Sequence, residues 1–188
     1  MLVDARRPDL PHVAIDNARG GRLATEHLLE KGHRRIAFVG DLRDHRFGFT
    51  SSEDRRKGYR RALRGAGIDP DPGLEHRAPH GRQEARALAE VLLAADDRPT
   101  AVFAASDTQA IGVLQAAHAL GLRVPDDVAV IGFDDIDMAD VLGLTTVRQP
   151  LFETGVRGAD LLLAAMDGAD LAAVAELEPL TVVARGTT

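Results

Sequence analysis

The chain has 188 residues, 45% of them hydrophobic and 28% charged, which suits one domain of ordinary size, or one and a part, with a real core. It contains no cysteine, which excludes disulfides, thiolate catalysis and cysteine-based zinc sites. Its net charge of -6 is opposite to the basic face of an isolated DNA-binding module, and neither a secretory leader nor an apolar run of the ~18 residues a membrane helix needs is found, so a cytoplasmic protein is expected.

In chain order, "MLVDA" and "HVAID" (His12–Asp16) read as strand. Asp16 or Asn17 caps a helix that runs to Lys31, with Leu23, Ala24, His27 and Leu28 on one side and Gly32 as its stop. "RRIAFVG" (Arg34–Gly40) is a continuous apolar run, the pattern of a strand covered on both faces. Ser51 followed by Asp54 makes a capping-box-like start to a helix with Arg55, Gly58, Tyr59, Ala62, Leu63 and Ala66 on one stripe. "GAGIDPDPG" breaks the chain, and a weaker strand, "LEHRA", follows from Leu74.

Ala85, Leu88, Ala89 and Leu92 then mark an amphipathic helix. "TAVFAAS" (Thr100–Ser106) is a second buried strand, after which Ser106 and Gln109 open a helix ending at Gly121. "DVAVIGFDD" (Asp127–Asp135) is a third, and "LTTV" near Leu144 a weaker one. Pro150 suits the first turn of the next helix, with Phe152, Gly155, Val156, Ala159 and Leu163 inward and Gly168 as stop; "LTVVAR" near Leu180 closes the chain. This alternation is the signature of an α/β fold with a doubly wound parallel sheet. The first strands have no helices before them, so the chain reads as beginning partway through a larger fold.

In open α/β sheets ligands bind beyond the carboxyl ends of the strands. Four groups fall on that rim: Gly40–Asp41, Ser106–Asp107, Asp134–Asp135 and Arg148–Gln149, with Arg55 joining from its helix. Carboxylates, a guanidinium and an amide fit a polyhydroxylated or otherwise polar small molecule. Each residue also has a plainer role open to it. Ser106 serves as an N-cap, Asp134 and Asp135 close a turn, Arg55 is one arginine of an arginine-rich helix, and Gln149 belongs to a loop. The acids of "DDIDMAD" lack the glycine and closing glutamate of a calcium loop, and His76 and His80 flank Pro79 rather than sharing a helix face, so no metal is expected. No phosphate-cradling glycine loop and no G-x-S-x-G elbow occurs.

Several stretches resemble one family. The first is "IDNARGGRLATEHLLEKGHRRIAFVG" (Ile15–Gly40). With it come the pattern of Ser51, Arg55, Gly58, Tyr59, Ala62 and Leu63, then "ASDTQAIGVLQAAHALGLRVPDDVAVIGFDD" and "LTTVRQP". In this order they resemble bacterial transcription regulators of the lactose-repressor (LacI/GalR) type. The resemblance implies a periplasmic-binding-protein-like type I lobe with a partial second lobe. Residues 1–15 would be a remnant of the N-terminal lobe and 16–148 the C-terminal lobe. Residues 149–176 would hold a helix crossing back to the N-terminal lobe, and 177–188 a final strand returning to the C-terminal one.

It further implies an effector cleft contacted by Asp4, Ser51, Arg55, Ser106, Asp134 and Gln149. Ser106 stands where many members carry Asn, and His76 stands roughly where many place a ligand-stacking aromatic. Both departures weigh against a simple hexose. A homodimer through the C-terminal lobe would use Ile136, Met138, Val141 and Leu142. The expected activity is binding of a sugar-like effector without catalysis, cofactor or membrane partner. DNA would be bound only by a helix-turn-helix not present in these residues. The competing readings are a stand-alone solute-binding protein and a metal-dependent hydrolase using Asp134 and Asp135.

Overall fold

The structure, a computed structural model, describes residues 2–3, 12–42, 49–169, 175–176 and 179–188. In chain order the elements are β1 (Leu2–Val3), β2 (His12–Ala14), α1 (Asn17–Glu30), β3 (Ile36–Asp41), α2 (Ser51–Gly65) and β4 (Glu75–Ala78). They continue with α3 (Arg82–Ala94), β5 (Ala101–Ala104), α4 (Asp107–Ala119), β6 (Ala129–Asp134) and α5 (Asp137–Val141). The last are β7 (Thr145–Arg148), α6 (Leu151–Met166), β8 (Ala175–Glu176) and β9 (Thr181–Val183).

Six strands form one sheet in the order β4-β3-β5-β6-β7-β9, parallel except for β9, which runs antiparallel to β7. A separate parallel sheet has the order β1-β2-β8. The doubly wound parallel sheet is therefore present. The chain moves outward from β3 to β4, then returns across β3 to β5, so its direction reverses between β3 and β5 and leaves a crevice at their carboxyl ends.

The apolar runs divide by alternation. Ile36, Phe38, Ala101, Phe103, Ile131 and Phe133 face α1 and α2, where Ala24, Leu28, Tyr59 and Leu63 meet them. Ala37, Val39, Val102, Ala104 and Val130 face α3 and α4, which present Ala85, Ala89, Ala110, Val113 and Ala117. Large side chains thus fill one face and small ones the other. The Phe103 ring meets Phe38 edge-on at 5.4 Å, Tyr59 lies 5.6 Å from Phe38, and the buried Tyr59 hydroxyl donates to the Ile36 carbonyl at 2.8 Å. Burial pushes the Tyr59 phenol well above its ordinary pKa, so it stays a donor.

Caps explain several of the helix limits. Asp16 accepts from the Arg19 N–H at 2.9 Å, Ser106 from the Gln109 N–H at 3.2 Å, and Gly32, Gly121 and Gly168 stop their helices at φ +94°, +71° and +87°. Three expectations need correction. Thr50, not Ser51, precedes α2, and its hydroxyl donates to the Asp54 carboxylate at 2.9 Å instead of capping a backbone group. Pro150 stands at the cap position of α6, one residue before the helix.

The third concerns α6, which rests on the three-stranded sheet through Thr154 and Gly158. Phe152 is 79% exposed, and Val156 and Leu163 are also exposed. Apolar residues lie on several sides of this helix, so periodicity alone does not mark the side that is covered. Helix α5 and strand β8, both short, were not anticipated. Among the described residues no helix is long and apolar enough to cross a membrane.

Helices α1 and α2 cross closely because Gly21 and Gly58 are at the crossing. A Cβ on Gly58 would collide with the Ala18 carbonyl and one on Gly21 with the Arg55 carbonyl. Gly58→Ala is expected to destabilise the fold by ~1–3 kcal/mol in urea unfolding. Gly65→Ala, where a Cβ meets nothing within 4 Å, should be neutral or stabilising by up to about 0.5 kcal/mol. Equal effects of the two substitutions would contradict this crossing.

Candidate functional site

The carboxyl ends of β3, β5, β6 and β7 open on a cleft of about 880 Å³. Its polar wall is built around Arg55, in the second turn of α2, whose side chain is only 6% exposed. The Arg55 Nε donates to Asn17 Oδ1 at 2.8 Å, and its Nη1 donates to the Ala105 carbonyl at 2.5 Å and to Asp134 Oδ1 at 3.5 Å. The guanidinium carbon lies 3.6 Å from the centre of the Phe133 ring. One side chain is thereby held by α1, by the end of β5 and by the end of β6. Gln149 Nε2 donates to the same Asp134 oxygen at 2.5 Å.

Asp134 and Asp135 have φ of +120° and +61°, a conformation that costs non-glycine residues of order 1–3 kcal/mol each. The backbone twist sends the two carboxylates apart. Asp134 lines the cleft. Asp135 turns away and accepts from Arg148 Nε at 2.6 Å and from Arg185 Nη2 at 2.8 Å. Burial pushes the Asp135 carboxyl up, but the hydrogen bonds and charges of Arg148 and Arg185 outweigh it and hold the group below the usual carboxylate value.

Asp107 is fully buried behind the rim, accepting from the Ile136 N–H at 3.0 Å and from the Thr146 hydroxyl at 2.6 Å. Burial pushes its pKa up against those hydrogen bonds. A Cβ on Gly132 would strike the Asp107 carboxylate, so the glycine of "GFDD" makes room for this lock.

On the β3 side, Asp41 Oδ1 accepts from Gln109 Nε2 at 2.9 Å and lies 3.0 Å from His80 Nδ1. The Asp41 N–H donates to Ser52 Oγ at 2.9 Å. Ser106 joins this chain by donating to Gln109 Oε1 at 3.3 Å while capping α4.

The cleft brings together Ser51, Arg55, Ser106, Asp134 and Gln149. Asp4 lies outside the described residues. His76 does not line the cleft. It alternates with Arg77 along β4, and its buried Nε2 has no hydrogen-bond partner, whereas His80, four residues later, reaches the cleft. Ile136, expected at a subunit contact, also lines the cleft. Met138, Val141 and Leu142 are exposed on and after α5. The sequence reading missed Asn17, Ser52, His80, Gln109 and Arg185. Of these only Gln109 carried a signal, its place three residues after a capping serine.

Residues 25–188 match the model of the periplasmic binding protein-like domain. The chain belongs to this family. Within it, the chain is 35% identical over 182 residues to the HTH-type transcriptional repressor CytR of Escherichia coli K12, an alignment covering 96% of this chain and 52% of that protein. A transcriptional regulator CelR–cellobiose complex superposes with a TM-score of 0.88 at 34% identity, over 97% of this chain and 55% of that one. A LacI family regulator from Enterococcus faecium with bound ribose gives 0.88 at 30% identity, over 100% and 69%. The periplasmic binding protein-like chain described here spans about half the length of the curated relatives it matches. The resemblance to LacI-type regulators is borne out in sequence and in fold.

Asp135 tests the turn that aims Asp134. Asp135→Asn is expected to cost about 3 kcal/mol near neutral pH, because Arg185 is left partly buried beside an uncharged amide. The folded-state pKa is depressed, so the stabilisation is complete above the ordinary value of 3.8 and is lost as pH falls through the folded-state value. Urea midpoints of the two proteins should therefore converge in acid. A gap that stays constant between about pH 5 and 2 would contradict the ion-pair account.

Proposed function

We propose that the chain is the effector-binding core of a LacI-type transcriptional regulator and that the cleft takes a small, polar, sugar-like ligand. The observation that carries this is Asp134, placed at a strand end with its carboxylate beside Arg55 and Gln149. A carboxylate, a forked donor and an amide together match the alternating donors and acceptors of a polyol.

In this reading residues 16–148 with 177–188 form one lobe, and residues 1–15 with 149–176 contribute to the other. Arg55, Ser106 and Asp134 present the ligand from the first lobe, with Ser51 beside them and Asp4 assigned to the second. Gln149 sits where the chain passes between the two. A ligand that touches both lobes favours their closed arrangement by its differential affinity. That closure would set the spacing of DNA-binding heads belonging to a helix-turn-helix outside these residues. The protein works in the cytoplasm and performs no catalysis: Asp135, the second acid of the pair, is committed to Arg148 and Arg185 rather than to a reacting group.

Asp134→Asn keeps the shape of the side chain and removes its charge. It should weaken binding of a neutral sugar such as ribose or cellobiose by ~10- to 150-fold in calorimetric titration. Asp126→Asn, on an exposed loop, should leave affinity unchanged. Unaltered affinity in the Asp134 variant would sink the assignment.

The regulator core also forms a homodimer in this reading, with the exposed apolar side chains of Met138, Val141 and Leu142 on the contact surface. Sedimentation should then show a dimer that Met138→Glu with Val141→Glu converts to a monomer. A monomeric parent chain, or a double variant that stays dimeric, removes that surface from the interface.

A further inference from the structure

Gln109 lies in the first turn of α4 and is wholly buried, on the same covered side as Ala110, Val113 and Ala117. A buried amide is costly unless both of its ends are bonded. Here both are. Nε2 donates to Asp41 Oδ1 at 2.9 Å, and Oε1 accepts from the Ser106 hydroxyl at 3.3 Å. Gln109 does not itself line the cleft, whereas Asp41 and Ser106 do. One side chain behind the wall thus joins the end of β3 to the end of β5.

The chemistry of the partners fixes which way the amide points. A carboxylate only accepts, so the NH2 faces Asp41 and the amide oxygen faces Ser106. The Ser106 hydroxyl then uses its one proton on Gln109 Oε1 and one lone pair on the Gln109 N–H. What it retains for the cleft is an acceptor. On Asp41, the contacts of Gln109 and His80 both fall on Oδ1, and Oδ2 accepts from no described residue.

Stability alone does not call for an amide at this position. Methionine has a similar length and would sit among the same alanines and valine with no polar end to satisfy. Capping of α4 by Ser106 needs only the Gln109 backbone N–H, not its side chain.

We propose that Gln109 is a positioning residue of the effector site, fixing Asp41 Oδ2 and Ser106 Oγ together as acceptors for a donor group of the ligand. It acts through those two residues and does not touch the ligand. This rests on the effector-binding reading above and adds Asp41 and Gln109 to the residues that define the site.

The test is calorimetric titration of the chain with ribose and cellobiose. The parent, Gln109→Met and Gln109→Glu are compared at about pH 8 and about pH 5, where a glutamate buried beside a carboxylate is respectively charged and neutral. Each variant is read as a ratio to the parent at the same pH, which removes groups that titrate in both, His80 among them. Gln109→Met should bind whichever probe the parent binds about tenfold more weakly at both pH values. Gln109→Glu should be weakened at least as much at the higher pH. At the lower pH it should return to within about threefold of the parent, because a protonated carboxyl, like the amide, donates to Asp41 and accepts from Ser106. Gln115→Glu, on the same helix but outside the cleft lining, should match the parent throughout.

A glutamine that only filled the core would give variants that melt lower without this recovery in acid. Parent-like binding by Gln109→Met, or a Gln109→Glu ratio that does not change with pH, overturns the proposal while effector binding stands. If Gln109→Glu unfolds at the higher pH, the acid measurement decides: parent-like affinity beside a weak Gln109→Met supports the proposal, and equal weakening of both overturns it. If neither probe binds the parent chain, the effector-binding reading falls and this proposal with it.

Discussion

The Arg55 guanidinium has lost nearly all contact with water, and a buried charge is tolerated only where geometry and hydrogen bonding compensate its desolvation. Its compensation includes the Asn17 amide oxygen, the Ala105 carbonyl, the Asp134 carboxylate and the face of Phe133. A lysine could not replace it, because a point charge cannot fork to partners in different directions and lie flat on a ring. These partners belong to α1, the end of β5 and the end of β6, so satisfying one charge fixes three elements around the cleft. The same constraint reaches into the helix pair. Gly21 lies against the Arg55 carbonyl, so the close crossing of α1 and α2 positions the arginine at the backbone while Asn17 positions it at the tip.

The turn at Asp134–Asp135 is the counterpart of that charge. Two successive residues at positive φ are unfavourable in isolation, and the surrounding contacts hold them there. Arg148 and Arg185 draw Asp135 one way, while Arg55 and Gln149 hold Asp134 the other. Behind the turn, Asp107 accepts from the Ile136 N–H, and Gly132 leaves the space for it. The strain yields a fixed direction for the Asp134 carboxylate, held before any ligand arrives.

How much of this could be read from residues alone differs by element. Continuous runs such as Ile36–Val39 and Val128–Phe133 announce strands covered on both faces, and the structure covers them. Asp134 was placed on the rim by the strand-end rule. Arg55 was placed on the apolar stripe of α2 and at the rim, but an arginine-rich helix with Arg56, Arg60 and Arg61 left a solvated role equally open, since burial of one arginine depends on tertiary partners; the family resemblance decided for the cleft. Arg185 lies 50 residues from Asp135 in the chain, and no local pattern links them. His76 was placed at the cleft by the resemblance alone, and alternation along β4 sends it away from the cleft that His80 reaches. The covered side of α6 was misread for a related reason: a helix with apolar residues on several sides does not declare which side another element will meet.

The opposite wall of the cleft shows what kind of recognition this arrangement permits. Glu53 holds Arg56 and Arg77, and Glu75 holds Arg56 and Arg60, so carboxylates and guanidiniums form one connected network between α2 and β4. Glu75 has a side chain only 5% exposed, and such a carboxylate is stable in that position because two guanidiniums face it. This network ties the edge of the sheet to α2. In the proposed reading, selectivity comes from the direction of hydrogen bonds at Asp134 and Asp41. Because those groups are already held by Gln149 and Gln109, a ligand bound as proposed would order few side chains on arrival, and more of its contact energy would be left for closing the cleft.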